Sequence, residues 1–168
     1  REAQTDAKEQ FVDALERYRS VINVDGGNLE KVYDRLNSSF QRSQSRAEAV
    51  TERIDEIESV ADDLFDEWKT EIGEYSDIEL RSQSEGLLAD TQRDYSQMLS
   101  AMRRAESSMQ PVLTLFNDQV LFLRHNLNAR AIGSLESELR TIELATSSAI
   151  RDMESSIEEA SRFIRSMG

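Results

Sequence analysis

The sequence contains no cysteine, a single proline, a single histidine and only six glycines in 168 residues. Without cysteine there is no disulfide and no thiolate-ligated metal. One proline and six glycines are too few for the many turns of a sheet protein, which leaves long helices. One histidine excludes a bundle di-iron site, which needs two Glu-x-x-His motifs, and a zinc site built on a histidine pair. There is no glycine-rich phosphate loop and no Gly-x-Ser-x-Gly elbow. A nucleophile–base triad would have to use His125, and no serine near it stands out. No catalysis, cofactor or metal is therefore expected. Lysine is scarce as well, at Lys8, Lys31 and Lys69, and the arginines are interspersed with acids. That distribution argues against nucleic acid, whose binding draws on clustered cations. No apolar run approaches the roughly 18 to 20 residues of a membrane span.

What is present is helical periodicity. Apolar residues recur at alternating steps of three and four, the spacing of helices packed side by side. A first stripe runs Ala7, Phe11, Ala14, Tyr18 and Val21. A second runs from Tyr33 through Leu36, Phe40, Ser43, Ala47, Val50, Ile54, Ile57, Ala61 and Leu64 to Trp68. Between them, Val24-Asp25-Gly26-Gly27-Asn28 reads as a turn, with Asn28 able to cap the next helix. After Gly73, Ser76-Asp77-Ile78-Glu79 reads as a capping box, with Ser76 at the N-cap and Tyr75 and Leu80 as a hydrophobic staple. The third seam runs from Leu80 through Ser84, Leu87, Thr91, Tyr95, Met98, Met102 and Met109 to Leu123. It crosses Pro111 without a slip, which favours a kinked continuous helix; a break at Ser108 to Gln110 is the alternative. The three seam methionines read as core. The seam resets between Leu123 and Ile132, from which a fourth runs through Leu135, Leu139, Ile142, Thr146, Ala149, Met153, Ile157, Ala160 and Ile164 to Met167. Asn126 there suits a left-handed terminating residue and Asn128 an N-cap, with one continuous stuttering helix as the competing reading.

The spacing thus predicts an all-α protein of four helices, near 3–23, 28–72, 77–125 and 129–167. Short loops between long helices give an elongated antiparallel up-down bundle, a single domain over residues 1–168. Because the first helix is half length, one end of the rod should be four helices thick and the other nearer three. The two loops at residues 25–28 and 124–128 should meet at one end. There Asp25, Asn28, Arg124, His125, Asn126, Asn128 and Arg130 form a polar, weakly basic tip. Helix capping explains such a group, and so does docking of a polar or anionic partner. The opposite end is acidic. Of the net charge of −13, residues 52–79 carry −10, from twelve acids against Arg53 and Lys69. Asp62/Asp66 and Asp63/Glu67 are like-charge pairs one helical turn apart, which a cation or basic partner would relieve.

Several stretches carry a family resemblance. They are Val24–Tyr33, Leu64-Phe65-Asp66-Glu67-Trp68, Met102-Arg103-Arg104-Ala105-Glu106-Ser107 and, most distinctive, Asp118–Ile132. Together they resemble DUF2959, a family of bacterial proteins of unknown function, over nearly the whole chain. The resemblance implies a periplasmic or periplasm-facing, lipoprotein-like location in a Gram-negative envelope. Arg1 would then be the start of a trimmed mature domain, with any membrane attachment through a missing N-terminal anchor. It brings no activity and no site residues. The expected function is a non-enzymatic scaffold, spacer or protein–protein adaptor, with an unidentified protein or a second copy as partner. A cation-responsive acidic tip and a self-associating coiled-coil protein are the alternatives.

Overall fold

The periodic stripes become four helices: α1 (Glu2–Ile22), α2 (Leu29–Ile72), α3 (Ile78–His125) and α4 (Ala129–Met167). The computed structural model describes residues 1–24 and 28–168. The expected Asp25-Gly26-Gly27 segment, and with it the candidate Asp25, lies outside the described residues. Among the described residues there is no strand. At 1.5 Å per residue, α3 is about 72 Å long and α1 about 32 Å.

The helix ends obey local chemistry, with three departures from expectation. Asp77, not Ser76, caps α3, its Oδ1 accepting from the backbone N–H of Glu79 at 2.8 Å and of Leu80 at 3.3 Å. A carboxylate is the stronger acceptor and also complements the positive helix N-terminus, so it displaces the neighbouring hydroxyl. The shift of one residue removes Glu79 from the N3 position, so no capping box closes. Tyr75 and Leu80 stay exposed rather than forming a staple. Asn126 ends α3 with φ −135°, outside the left-handed region. It works through its side chain instead, Nδ2 donating to the Phe122 carbonyl at 2.9 Å. Asn28 occupies the N-cap position of α2 but makes no side-chain cap bond.

Two expectations at α3 hold. The helix runs unbroken through Pro111. The bond lost there belongs to the carbonyl of Ser107, an exposed residue that water can serve. A turn separates α3 from α4, and Asn128 caps α4 by accepting from Arg130 N–H at 3.0 Å and Ala131 N–H at 3.2 Å.

Each helix packs only on its neighbours in a ring, α1 on α2, α2 on α3, α3 on α4 and α4 on α1. One continuous core fills the ring, with Phe11, Tyr18, Leu36, Met109, Phe116 and Ile142 fully buried. Met98 and Met102 are buried beside them, as the seam predicts. The Tyr18 hydroxyl crosses from α1 to donate to the Leu135 carbonyl at 2.7 Å. Its ring meets Phe116 edge-on at 5.7 Å. Polar contacts set the register of α1: Gln4 donates to Ser156 at 2.6 Å, and Ser39 donates to Asp13 at 2.6 Å.

The thin end is thinner than expected. α1 finishes beside Arg53 and Ser161, where Arg1 Nη1 donates to Ser161 at 3.2 Å. α4 then stops at Met167, level with Thr91, and leaves α3 residues 78–90 without it. The rod is therefore three helices thick only briefly. For its last 20 Å or so it is the bare α2–α3 hairpin.

Candidate functional site

Two surfaces are candidates, one at each end of the four-helix section. The described residues of the expected polar tip stand at one end. The α1–α2 and α3–α4 junctions share one end, and Arg124 lines a shallow groove with Tyr33, Asn37 and Leu121. Asn28, Arg124, His125, Asn128 and Arg130 are exposed there, and Asn126 is half-buried. Capping consumes the amides of Asn126 and Asn128. Arg124 and Arg130 make no ion pair among the described residues. Leu121, Phe122 and Leu127 are exposed between them, an apolar component that the polar reading of this tip missed.

The second surface lies where the half-length first helix was expected to leave the bundle uncovered. Where α1 ends, the space it would occupy between α2 and α4 remains open as an apolar groove of about 300 Å³. α2 supplies Ile57, Val60, Ala61, Leu64 and Phe65; α3 supplies Thr91, Tyr95 and Met98 as the floor; α4 supplies Phe163 and Met167. Val60 is 67% exposed and Leu64 45%. Leu64 and Met167 were read as core seam, yet they face the groove because no fourth helix reaches them. The aromatic floor is rigid: Phe65 meets Tyr95 at 5.4 Å and Tyr95 meets Phe163 at 6.2 Å, both edge-on. Exposed apolar side chains gathered in one concavity are a signature of interaction surfaces.

A larger depression of about 520 Å³ lies between α2 and α3, but Gln44, Glu48, Thr51, Gln110 and Asn117 line much of it. Such walls remain solvated at little cost, so no apolar partner is drawn into it.

Charge flanks the apolar groove and enters its lining only as Arg53 and Glu56, which pair at 2.8 Å. On the α2–α3 flank, Arg103 binds Asp55 at 2.8 Å, Glu106 at 3.0 Å and Glu58. These hydrogen bonds hold its guanidinium more firmly in the charged form than usual. This clamp ties α2 to α3 at the level where the bundle thins. The Tyr95 hydroxyl is buried and without a hydrogen-bond partner among the described residues. Burial, then the charges of Glu58 and Asp62, push its pKa up. Among the described residues no three His, Asp or Glu side chains converge as metal ligands. The acidic end is therefore spread along helix surfaces, with Lys69 paired to Asp66 at 3.3 Å. Apart from Arg53, Glu56, Thr91 and the Tyr95 hydroxyl, the side chains lining the groove are apolar. What it can do is bury apolar side chains.

Residues 1–167 match the family described as Protein of unknown function (DUF2959). The chain belongs to the DUF2959 family. No curated protein matches it, and no solved structure does. The family carries no assigned activity to this bundle, so its surfaces have to be read from their own chemistry.

Sequence did hold one sign of the groove. A helix buried on one side in a bundle needs a single narrow stripe. Residues 57–68 of α2 instead carry Ile57, Val60, Ala61, Leu64, Phe65 and Trp68. The stripe widens exactly where cover is lost, with Val60 lying off the seam.

Proposed function

We propose that this chain is a non-enzymatic helical scaffold or adaptor of the bacterial cell envelope, and that the groove between α2 and α4 seats an apolar helix. The observation that carries this reading is the groove itself: a helix-wide apolar trough at the point where a four-helix section loses a helix. Laying an apolar helix face into such a trough is a recurrent mode of protein recognition. The Arg103 clamp and the aromatic floor keep the trough preformed, which lowers the ordering cost of docking. The envelope location rests on the family resemblance, and osmotic-shock fractionation of cells producing the natural protein tests it.

The docking is tested by a photo-crosslinking amino acid placed at Val60, with Leu144, which is equally open to solvent at 54%, as control on α4. Crosslinked adducts of defined mass should form from Val60 and be lost when Leu64→Glu is added. Equal adducts from both sites would reject the reading.

A second docking surface at the Arg124–Arg130 tip is favoured by two arginines that make no ion pair among the described residues, beside exposed Leu121, Phe122 and Leu127. Arg124→Glu with Arg130→Glu should then abolish partner capture without lowering the melting temperature. Unchanged capture would remove that surface.

A further inference from the structure

Independently of the groove between α2 and α4, we propose that a polar trough on the outer α2–α3 seam binds a short extended peptide segment, basic at one end and acidic at the other. Two depressions of about 520 and 450 Å³ share Gln44 and Asn117 and so form one trough. It follows α2 from Tyr33 to Glu52, about 28 Å. Among the described residues, the side-chain bonds from α3 to α2 all lie beyond it, from Arg103 to Asp55 and Glu58 and between Trp68 and Ser84. Yet the trough is rich in groups able to make such bonds. Asn37, Gln41, Gln44, Gln110 and Asn117 line it, five of the fifteen side-chain amides in the chain. None of the five makes a hydrogen bond among the described residues, whereas Gln4, Gln10, Asn126 and Asn128 are committed to partners.

A primary amide offers donors and an acceptor together, the complement of a peptide unit. Beneath the amides the floor is apolar, with Phe40, Ala47 and Val120 buried. An extended chain can lay alternate side chains on that floor while its N–H and C=O groups meet the rims. A helix would have spent those groups on itself. The two ends carry opposite charge. Arg124, exposed and without an ion pair among the described residues, stands at one. Glu48 and Glu52, like charges one helical turn apart and also exposed, stand at the other. Pro111 adds an acceptor there, because the Ser107 carbonyl it deprives lies three residues before Gln110 on the same face of α3. An acidic peptide end therefore belongs at Arg124, and a Lys, Arg or amino terminus at Glu48 and Glu52. At about 3.3 Å per residue, eight residues span the trough. A neutral glycan fits less well, since its hydroxyls leave both charged ends unmatched.

The test uses two octapeptides of one composition, titrated into the nitrogen-15-labelled full chain and followed by nuclear magnetic resonance. One has two lysines at one end and two aspartates at the other; the second alternates the same residues. The segregated peptide should shift the side-chain amide signals of Asn37, Gln44 and Asn117 saturably. It should bind roughly fivefold tighter than the alternating one, a preference that added salt diminishes. Arg124→Glu should abolish that preference. Adding Glu48→Lys and Glu52→Lys to it should restore the preference, because the trough then has the opposite polarity and the peptide turns round. All three positions are exposed, and an unchanged melting curve checks that each variant folds. Equal affinity of the two peptides, amide signals that do not move, or no recovery in the triple variant would overturn the inference. If a chitin hexasaccharide shifts these signals and neither peptide does, the trough is a glycan site and the inference falls. None of these outcomes bears on crosslinking from Val60, so the α2–α4 groove stands or fails separately.

Discussion

The four-helix section and the bare hairpin are made from the same kind of sequence, yet they are held together very differently. In the four-helix section each helix packs on two neighbours around a closed core, and Phe11, Tyr18, Leu36, Met109, Phe116 and Ile142 are lost from solvent. In the hairpin, residues of equal apolarity meet one other helix. Ile72 and Leu88 are buried there, and Trp68 donates from Nε1 to Ser84 at 2.9 Å. Ile78 and Leu87, by contrast, stay 82% and 61% exposed. Apolar surface contributes only when something covers it. The difference teaches that stability in this rod depends on how many helices stand at a given level, and that the groove lies at the step between levels.

The comparison breaks most visibly at the core. Phe116→Ala should cost about 3–5 kcal/mol, because the aromatic ring is removed from a site closed on all sides. Leu87→Ala in the hairpin should cost under about 0.5 kcal/mol. Urea unfolding of both variants measures the contrast, and similar midpoints would show that the two regions do not differ as described.

Next in size is the Tyr18 bond that ties α1 to α4. Tyr18→Phe should cost about 1 kcal/mol at neutral pH, leaving the Leu135 carbonyl its helical partner alone. Burial, with a smaller contribution from Glu138, raises the Tyr18 phenol above its usual value of 10.0. The neutral form is therefore favoured in the folded state, while the unfolded chain releases the proton from about pH 10 upward. Stability from this group is complete below pH 10 and declines as pH rises through that window. The Phe variant should lose less stability between pH 9 and 11 than the parent, a difference that thermal melts will detect.

The smallest effect sharpens the comparison from the weak side. Gly86 sits within the hairpin part of α3, and an added Cβ would meet nothing within 4 Å. Gly86→Ala should therefore stabilise by about 0.5–1 kcal/mol through helix propensity alone. Hydrogen exchange should show this gain as slower local opening of residues 78–90, with the four-helix core unchanged. Uniform slowing across the chain would mean that the hairpin unfolds only together with the core.

Much of this architecture was legible in the sequence. The stripe from Ala7 to Val21 is buried residue for residue, because a short helix in a full bundle has one inward face. The absence of a seam slip at Pro111 correctly indicated an unbroken α3, since an interhelix turn would have reset the register. Asn128 was legible as a cap because its role is purely local. What the pattern could not give was the cover. Leu64, Leu80, Leu87, Ile164 and Met167 continue their seams without fault, yet all are exposed. Periodicity reports which face of a helix is apolar, not what lies against it. The thinning of the rod depended on where α4 stops relative to α3, a difference in length that short stripes blur. Of the expected polar tip, the described residues stand at one end, but Asn126 and Asn128 are spent on helix ends. The groove was legible in the half length of the first helix and in Val60 and Phe65, apolar residues beside their seam.

The ring order of the helices has a consequence for how the chain assembles. Three of its four contacts join consecutive helices, so each forms by folding back across a short connection. The α1–α4 contact alone must bring distant parts of the chain together, as in the Tyr18–Leu135 bond across 117 positions. Nearly all the loop-closure entropy is concentrated there. Folding should therefore proceed as a ribbon of three hairpins, quick because its contacts are local, with the closure of α1 onto α4 as its final and slowest event.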